Sequence, residues 1–326
     1  MIISKTPFRI SFFGGGTDFP DYYKKHGGEV ISTSIDKFCY VQLKNLNEIY
    51  DYNYRLVWSK NEIVEKIKNI QNPCIKAALS FKKLRKKIEI HYSADLPKNS
   101  GLGTSSSFAV GLLNCISSLK NKKCSVKKLA LDAIYLEQQV LKEFCGSQDQ
   151  IQAAYGGFNS ISFKKNSLFE VKKLNIEPSI KKNLKRNSVL IYTNTQRYSG
   201  IIERSKIKNI SKKVKLYHKI KNLTPIAKEL LINNNIKDFG NLLNEYWHLK
   251  SQLSNSVRNR IIDEIYETSL SAGAYGAKLL GSGGGGFILV LCDPKFQKQL
   301  KKKLSKLKFV NFNFHPKGSE IIYKNK

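Results

Sequence analysis

With 326 residues the chain exceeds what one hydrophobic core usually holds, so two packed lobes are expected. Its 41% hydrophobic and 25% charged residues exclude wholesale disorder. Lys and Arg number 56 against 25 Asp and Glu, a formal charge of +31 that attracts polyanions. The lysines are nevertheless spread along the whole sequence without a nucleic-acid-binding signature, and the runs 82–87 and 301–308 read as solvated helix faces.

The opening MIISKTPFRI holds no charged segment leading into an apolar one and does not read as a secretory signal. The longest apolar stretches, near 108–116 and 287–292, are well short of the ~20 residues that cross a bilayer, so a cytoplasmic protein without a membrane partner is expected. Residues 2–6, 8–13 and 38–43, rich in β-branched and aromatic side chains, read as strands. Residues 87–92 (KIEIHY) alternate like a half-buried strand. Residues 104–119 predict a buried helix opened by a glycine turn, and 125–144 a second helix with Ser125 as its N-cap. A hairpin is expected from 158–163 and 168–174. The polar stretch 177–187, with Pro178, marks a lobe boundary and divides the chain into 1–177 and 178–326. Beyond it come a strand at 188–193, helices at 210–222, 224–233, 236–254 and 261–272, a strand at 287–292, a basic helix and a closing strand at 308–314. Strands and helices in separate blocks argue for an α+β fold. The six cysteines form no CxxC pair and the five histidines no metal-binding spacing, so buried free thiols are expected.

Three glycine-rich segments and one acid carry the chemistry. Residues 96–107 read LPKNSGLGTSSS, between a predicted strand and a predicted helix. Glycines let backbone N–H groups converge and a helix N-terminus adds positive potential, so this is either a phosphate cradle or simply a capped helix start. It is not a Walker A loop, because no Gly-Lys-Ser/Thr follows. Residues 7–18 read PFRISFFGGGTD, in which Asp18 suits sugar hydroxyls and Arg9 anionic groups; a hairpin turn with a solvated acid is the alternative. Residues 278–291, KLLGSGGGGFILVL, place four glycines between a helix and a strand, for close backbone approach or as a flexible turn. Asp149, in GSQDQIQAAYGG, has the chemistry of a general base but by itself is an ordinary surface acid.

Taken together these segments resemble the GHMP kinase superfamily, whose three motifs they match in order along essentially the whole chain. PKNSGLGTSSS is the most specific of them. RISFFGGGTDFPDYY, HGGEVISTSIDK, GSQDQIQAAYGG and residues 247–250 are similar to the heptose 7-phosphate kinases of that group, whereas galactokinases carry a Gly-Glu-His-Thr-Asp form in the first motif. YSGIIER resembles a Thr-Gly-x-x-Arg signature with Ser199 and one extra residue before Arg204, which leaves Arg197 as an alternative to that arginine.

The resemblance implies a two-lobed GHMP kinase fold with nucleotide and sugar sites in the cleft between lobes. ATP would meet Pro97, Ser100, Gly101, Leu102, Gly103, Thr104, Ser105, Ser106 and Ser107, with Gly283, Gly284 and Gly285 closing from the second lobe. Mg2+ would be held by Ser106 and Glu137. Asp149 would accept the proton of an anomeric hydroxyl, and Arg9 beside it would stabilise charge on the transferring phosphoryl group. Gly14, Gly15, Gly16, Thr17 and Asp18 would hold the sugar, with His26, Arg197, Arg204 and Lys250 as candidates for a substrate phosphate. The implied activity is ATP-dependent phosphorylation of the C1 hydroxyl of D-glycero-D-manno-heptose 7-phosphate to the 1,7-bisphosphate, for nucleotide-activated heptose and surface polysaccharide. The partner would be a small sugar phosphate and not nucleic acid, and a homodimer is compatible with this. The rival readings are a fucokinase- or galactokinase-like enzyme, and a non-catalytic sugar or ATP sensor on the same fold.

Overall fold

Two long strands dominate the first half of the computed structural model, which describes residues 1–195 and 199–325: β1 (Ile2–Phe13) and β2 (Gly28–Asn45), with the short helix α1 (Pro20–His26) between them. The strands expected at 2–6 and 8–13 are therefore one. Pro7, which lacks a ladder N–H, stands where the register of β1 on β2 shifts, and the irregularity absorbs it. Strands β3 (Tyr54–Val57) and β4 (Asn61–Val64), helix α2 (Pro73–Phe81) and strand β5 (Ile88–Ala94) follow. Next comes α3 (Thr104–Leu119), on the residues expected and buried on nearly all sides. It sits directly on β1: a Cβ added to Gly111 would approach Thr6 Oγ1 to 2.8 Å.

Ser125 caps α4 (Val126–Tyr135) as expected, its Oγ accepting from the Lys128 amide. The helix does not reach residue 144. It passes into a π turn over Leu136–Val140 and stops, with Lys142 at φ 53°. After α5 (Gln148–Tyr155) the expected hairpin forms from β6 (Phe158–Phe163) and β7 (Phe169–Lys173).

The stretch read as a polar boundary is itself a helix, α6 (Pro178–Asn187), followed by β8 (Ser188–Tyr192), α7 (Ser199–Lys208) and α8 (Val214–Ile232). The last merges the helices expected at 210–222 and 224–233. Pro225 lies within it on the exposed side, where water can satisfy the carbonyl it orphans. Helices α9 (Ile236–Ser251) and α10 (Arg260–Ser271) lead to β9 (Ala274–Leu279), β10 (Phe287–Cys292), α11 (Pro294–Lys303), β11 (Lys308–Val310), β12 (Phe314–His315) and β13 (Glu320–Lys324).

These strands build two sheets. The first runs β13-β1-β2-β5-β3-β4, with β6 and β12 on the rest of β2 and β7 outside β6; the second runs β11-β8-β10-β9. The chain end thus returns to the first sheet, which corrects the contiguous second domain 178–326: residues 314–324 pair with β2 and β1. The two halves meet through aromatic packing. Phe239 of α9 contacts Phe12 and Phe13 of β1 at ring distances of 5.6 and 5.1 Å, and Tyr246 meets Phe13 at 5.5 Å. All four rings are fully buried, each contributing about 1.5–3 kcal/mol, so α9 is held firmly against the first sheet. The six cysteines are free thiols, and among the described residues no helix is long and apolar enough to cross a membrane.

Candidate active site

Where β13 ends, the edge of β1 is open and the LPKNSGLGTSSS loop docks on it: the Arg9 amide donates to the Leu102 carbonyl at 3.0 Å. Gly101 and Gly103 both take left-handed φ values, 77° and 74°. Gly103 is the N-cap of α3 and supplies no capping side chain, so the first-turn amides stay available to an anion. The third glycine segment meets this loop backbone to backbone. A Cβ on Gly281 would lie 2.4 Å from the Gly101 Cα, and one on Gly286 2.3 Å from the Ser100 carbonyl oxygen. Close approach, not flexibility, is what these glycines serve.

Beneath the loop, Arg9 and Asp149 form a two-pronged ion pair. Nε donates to Oδ1 at 2.7 Å and Nη2 to Oδ2 at 2.6 Å, while Nη1 donates to the Gly101 carbonyl at 2.6 Å. Arg9 is buried on β1, and Asp149, in the first turn of α5, keeps a quarter of its side chain exposed in the cleft. One guanidinium therefore fixes both the acid and the glycine loop. Asp18 lies near: its carboxylate accepts from the amides of Gly16 (2.8 Å) and Gln148 (3.2 Å), and burial raises its pKa, with Asp149 adding to the rise against those two amides. Gly146 passes so close that a Cβ there would lie 1.8 Å from Oδ2 of Asp18.

The π turn places Glu137 under the start of α3, where Ser106 Oγ donates to Oε2 at 2.8 Å and Gln150 Nε2 donates to the same oxygen. Burial pushes Glu137 up to about 8, with Glu143 nearby adding to it. From the other half come buried lysines. Lys250 of α9 donates to the carbonyls of Leu279 (3.0 Å) and Gly281 (2.7 Å), Lys278 of β9 to those of Ser11 (2.8 Å) and Phe12 (2.6 Å), and Lys206 of α7 to that of Ser282. Burial first, then the crowding of neighbouring cations, holds Lys250 and Lys278 well below the usual lysine range.

One cavity collects most of the residues singled out from sequence. Arg9, Gly15, Gly16, Asp18, Gly101, Gly103, Thr104, Ser105, Ser106, Glu137, Asp149, Lys250, Gly283 and Gly285 line it. Others stand behind the lining. Leu102 is buried, Ser107 Oγ donates to the Pro7 carbonyl, and Thr17 Oγ1 donates to the carbonyls of Gly14 and Glu29, while Gly284 bonds to Val257. Gly14 is there for the backbone alone, since a Cβ would lie 1.9 Å from the Glu29 oxygen. Pro97 and Ser100 do not line the cavity either; the Ser100 carbonyl accepts from the Phe287 amide instead. His26 packs on Tyr22 and His218, and Arg204 stacks over Phe144 at 5.3 Å; neither lines the cavity, and Arg197 lies outside the described residues. Glu203, Lys206, Tyr246, Lys278 and Glu143 line it without having been singled out. Only Lys278 gave a signal, a lysine at the head of the apolar residues before the glycines; those residues end strand β9 and not the helix expected ahead of the glycine turn.

An amide-rich loop opening a buried helix, an Arg–Asp pair under it and a glycine turn closing from a second sheet define a kinase of the GHMP type. The family profile for the GHMP kinase N-terminal domain matches residues 61–157 and that for the C-terminal domain residues 227–309, more than half of the chain between them. The chain belongs to the GHMP kinase family and is an ATP-dependent sugar kinase. It is 29% identical over 319 residues to the D-glycero-alpha-D-manno-heptose 7-phosphate kinase of Campylobacter jejuni, spanning 94% of this chain and 93% of that protein. The crystal structure of a putative sugar kinase from Campylobacter jejuni superposes with a TM-score of 0.77 at 26% identity, covering 98% of this chain and 97% of the other. A D-glycero-D-manno-heptose 1-phosphate kinase from Bacteroides thetaiotaomicron shares the fold over the whole of both chains, with a TM-score of 0.83 at 23% identity.

Proposed function

We propose that this sugar kinase transfers the γ-phosphoryl group of ATP to the anomeric C1 hydroxyl of D-glycero-D-manno-heptose 7-phosphate, giving the 1,7-bisphosphate for nucleotide-activated heptose and surface polysaccharide. The observation that carries the reading is the Arg9–Asp149 pair, held on the same cavity as the open amides of α3. Phosphoryl transfer asks a protein chiefly for positioning and charge stabilisation. In this reading the amides opening α3 cradle the nucleotide phosphates, Asp149 accepts the hydroxyl proton, Arg9 orients it, and Asp18 orients the sugar. The likeness to the Campylobacter heptose 7-phosphate kinase supports the choice of sugar. A cytoplasmic enzyme follows from its need for ATP.

The residues present fit a magnesium ion. Ser106 Oγ and the Glu137 carboxylate are adjacent hard oxygen donors on the cavity wall, the donor set Mg2+ takes together with phosphate and water. When bound, such an ion neutralises charge on the nucleotide phosphates. Turnover of a sugar panel followed by ADP release tests the proposal. Preference for heptose 7-phosphate is expected; rapid turnover of fucose, galactose or another unphosphorylated hexose, with none of the heptose phosphate, overturns it. Absence of turnover on every sugar would leave the sensor reading, which the assembled Arg9–Asp149 pair already disfavours.

A further inference from the structure

A substrate that brings its own phosphate needs a cation with free donors in the cleft, and among the described residues four cations line it. Three are committed. Arg9 spends Nε, Nη1 and Nη2 on Asp149 and Gly101; Lys250 and Lys278 each donate to two carbonyls. Lys278 also lies 4.1 Å from the centre of the Tyr246 ring. Lys206 differs: it lines the cavity, donates to the Ser282 carbonyl alone, and among the described residues has no carboxylate within ion-pair distance. An ammonium has three N–H groups, so two remain.

Its position fits. Glu203 and Asp18 are its electrostatic neighbours, and Asp18 in turn feels Asp149. Lys206 thus lines the same cavity as Asp18 and Asp149, the two acids to which the functional reading assigns the sugar, so a phosphate carried by that sugar enters the same cleft. On α7, positions 203 and 206 share one face and turn into the cleft, while Arg204 turns out over Phe144.

We propose that Lys206 is the subsite for the phosphomonoester that the sugar substrate already carries, and so sets the preference for a phosphorylated over a free sugar. This rests on the heptose 7-phosphate reading above. Burial raises the Asp18 carboxyl, takes Glu203 up to about 8 and lowers the Lys206 ammonium, which the two acids pull back up; an arriving phosphate would be a stronger anionic partner for that ammonium than either acid.

The test compares wild type, Lys206→Met and Lys206→Arg on D-glycero-D-manno-heptose with and without its 7-phosphate. Met keeps the bulk and removes the charge. It is expected to raise KM for the phosphorylated sugar ~10–100-fold, the worth of a charged hydrogen bond, and to move KM for ATP and turnover of the free sugar far less, through the lost Ser282 contact. Arg is expected to keep the preference. Calorimetric binding of the sugar phosphate without ATP reads the same loss if turnover falls too low. Equal loss on both sugars, or a rise in KM for ATP as large as that for the sugar phosphate, would overturn the proposal and leave Lys206 only as a support of the Ser282 turn. A wild type that shows no preference for the phosphorylated sugar would refute the functional reading itself, and Lys206 with it.

Discussion

The two walls of this one cleft use charge in opposite ways. On the wall built from β1, α3 and α5, the charged atoms meet each other and the cavity: guanidinium against carboxylate, carboxylate against amides. On the wall built from α7, α9 and β9, the cations are turned onto main-chain carbonyls of the glycine turn and of β1. A buried ammonium on a carbonyl fixes backbone; a buried carboxylate facing a cavity moves protons. In the proposed reaction the first wall carries the chemistry and the second chiefly sets position, with Lys206 as the exception proposed above.

The contrast breaks most sharply at Asp149. Asp149→Asn preserves the shape and part of the Arg9 contact, and is expected to lower kcat ~100-fold or more while nucleotide binding persists, the usual scale for loss of a general base. Steady-state kinetics with parallel ATP titration checks this. An unaltered kcat would reduce Asp149 to an anchor for Arg9.

Next in size is the contact between the walls. Gly101→Ala forces a left-handed residue to carry a Cβ 2.6 Å from the Leu280 oxygen. A cost of about 1–3 kcal/mol is expected, read as a lowered Tm and a roughly tenfold or larger rise in KM for ATP, with the sugar KM little moved. Should both KM values rise together, the glycine turn would serve the whole cleft and not the nucleotide half.

Much of the first wall was legible in the sequence, because its chemistry is encoded by local pattern: glycines before a hydroxyl-rich helix, a three-glycine turn before Asp18, an acid between two glutamines. The helix 104–119 was legible for the same reason, a long apolar run with a clean start. The second wall was not. Lys206 and Glu203 sit in a helix of mixed polarity, and nothing local shows which face a tertiary contact will bury. Lys250 was found through its motif, but its carbonyl partners come from a turn about thirty positions away. The π turn that delivers Glu137 was invisible too, since an α-helical continuation has the same hydrophobic spacing over five residues. Nor does chain order reveal that residues 314–324 rejoin the first sheet, because strand pairing is a long-range choice.

The smallest effect sharpens the comparison at Glu137, an acid of the first wall that burial pushes up to about 8. Its folded pKa, up to about 8, stands above the ordinary carboxyl value of 4.5, so at intermediate pH the native state keeps a proton the unfolded chain has released. Stability then falls as pH rises from 4.5 toward about 8, and the whole penalty is present above that range. Glu203 acts in the same sense, while Lys250 and Lys278, held low, add stability as pH rises toward the lysine range. Comparing variants cancels those contributions. Between pH 5 and pH 8, wild type should lose at least about 2 °C in Tm relative to Glu137→Gln in the absence of ligand, with the losses of Ser106 and Gln150 contacts entering as a pH-independent offset. Magnesium should recover part of that loss for wild type and none for the variant, because a divalent ion favours the carboxylate form only where a carboxylate exists. Parallel Tm curves for the two proteins across this pH range, with or without magnesium, would mean that Glu137 is ionised and compensated in the native state and that the cation binds elsewhere.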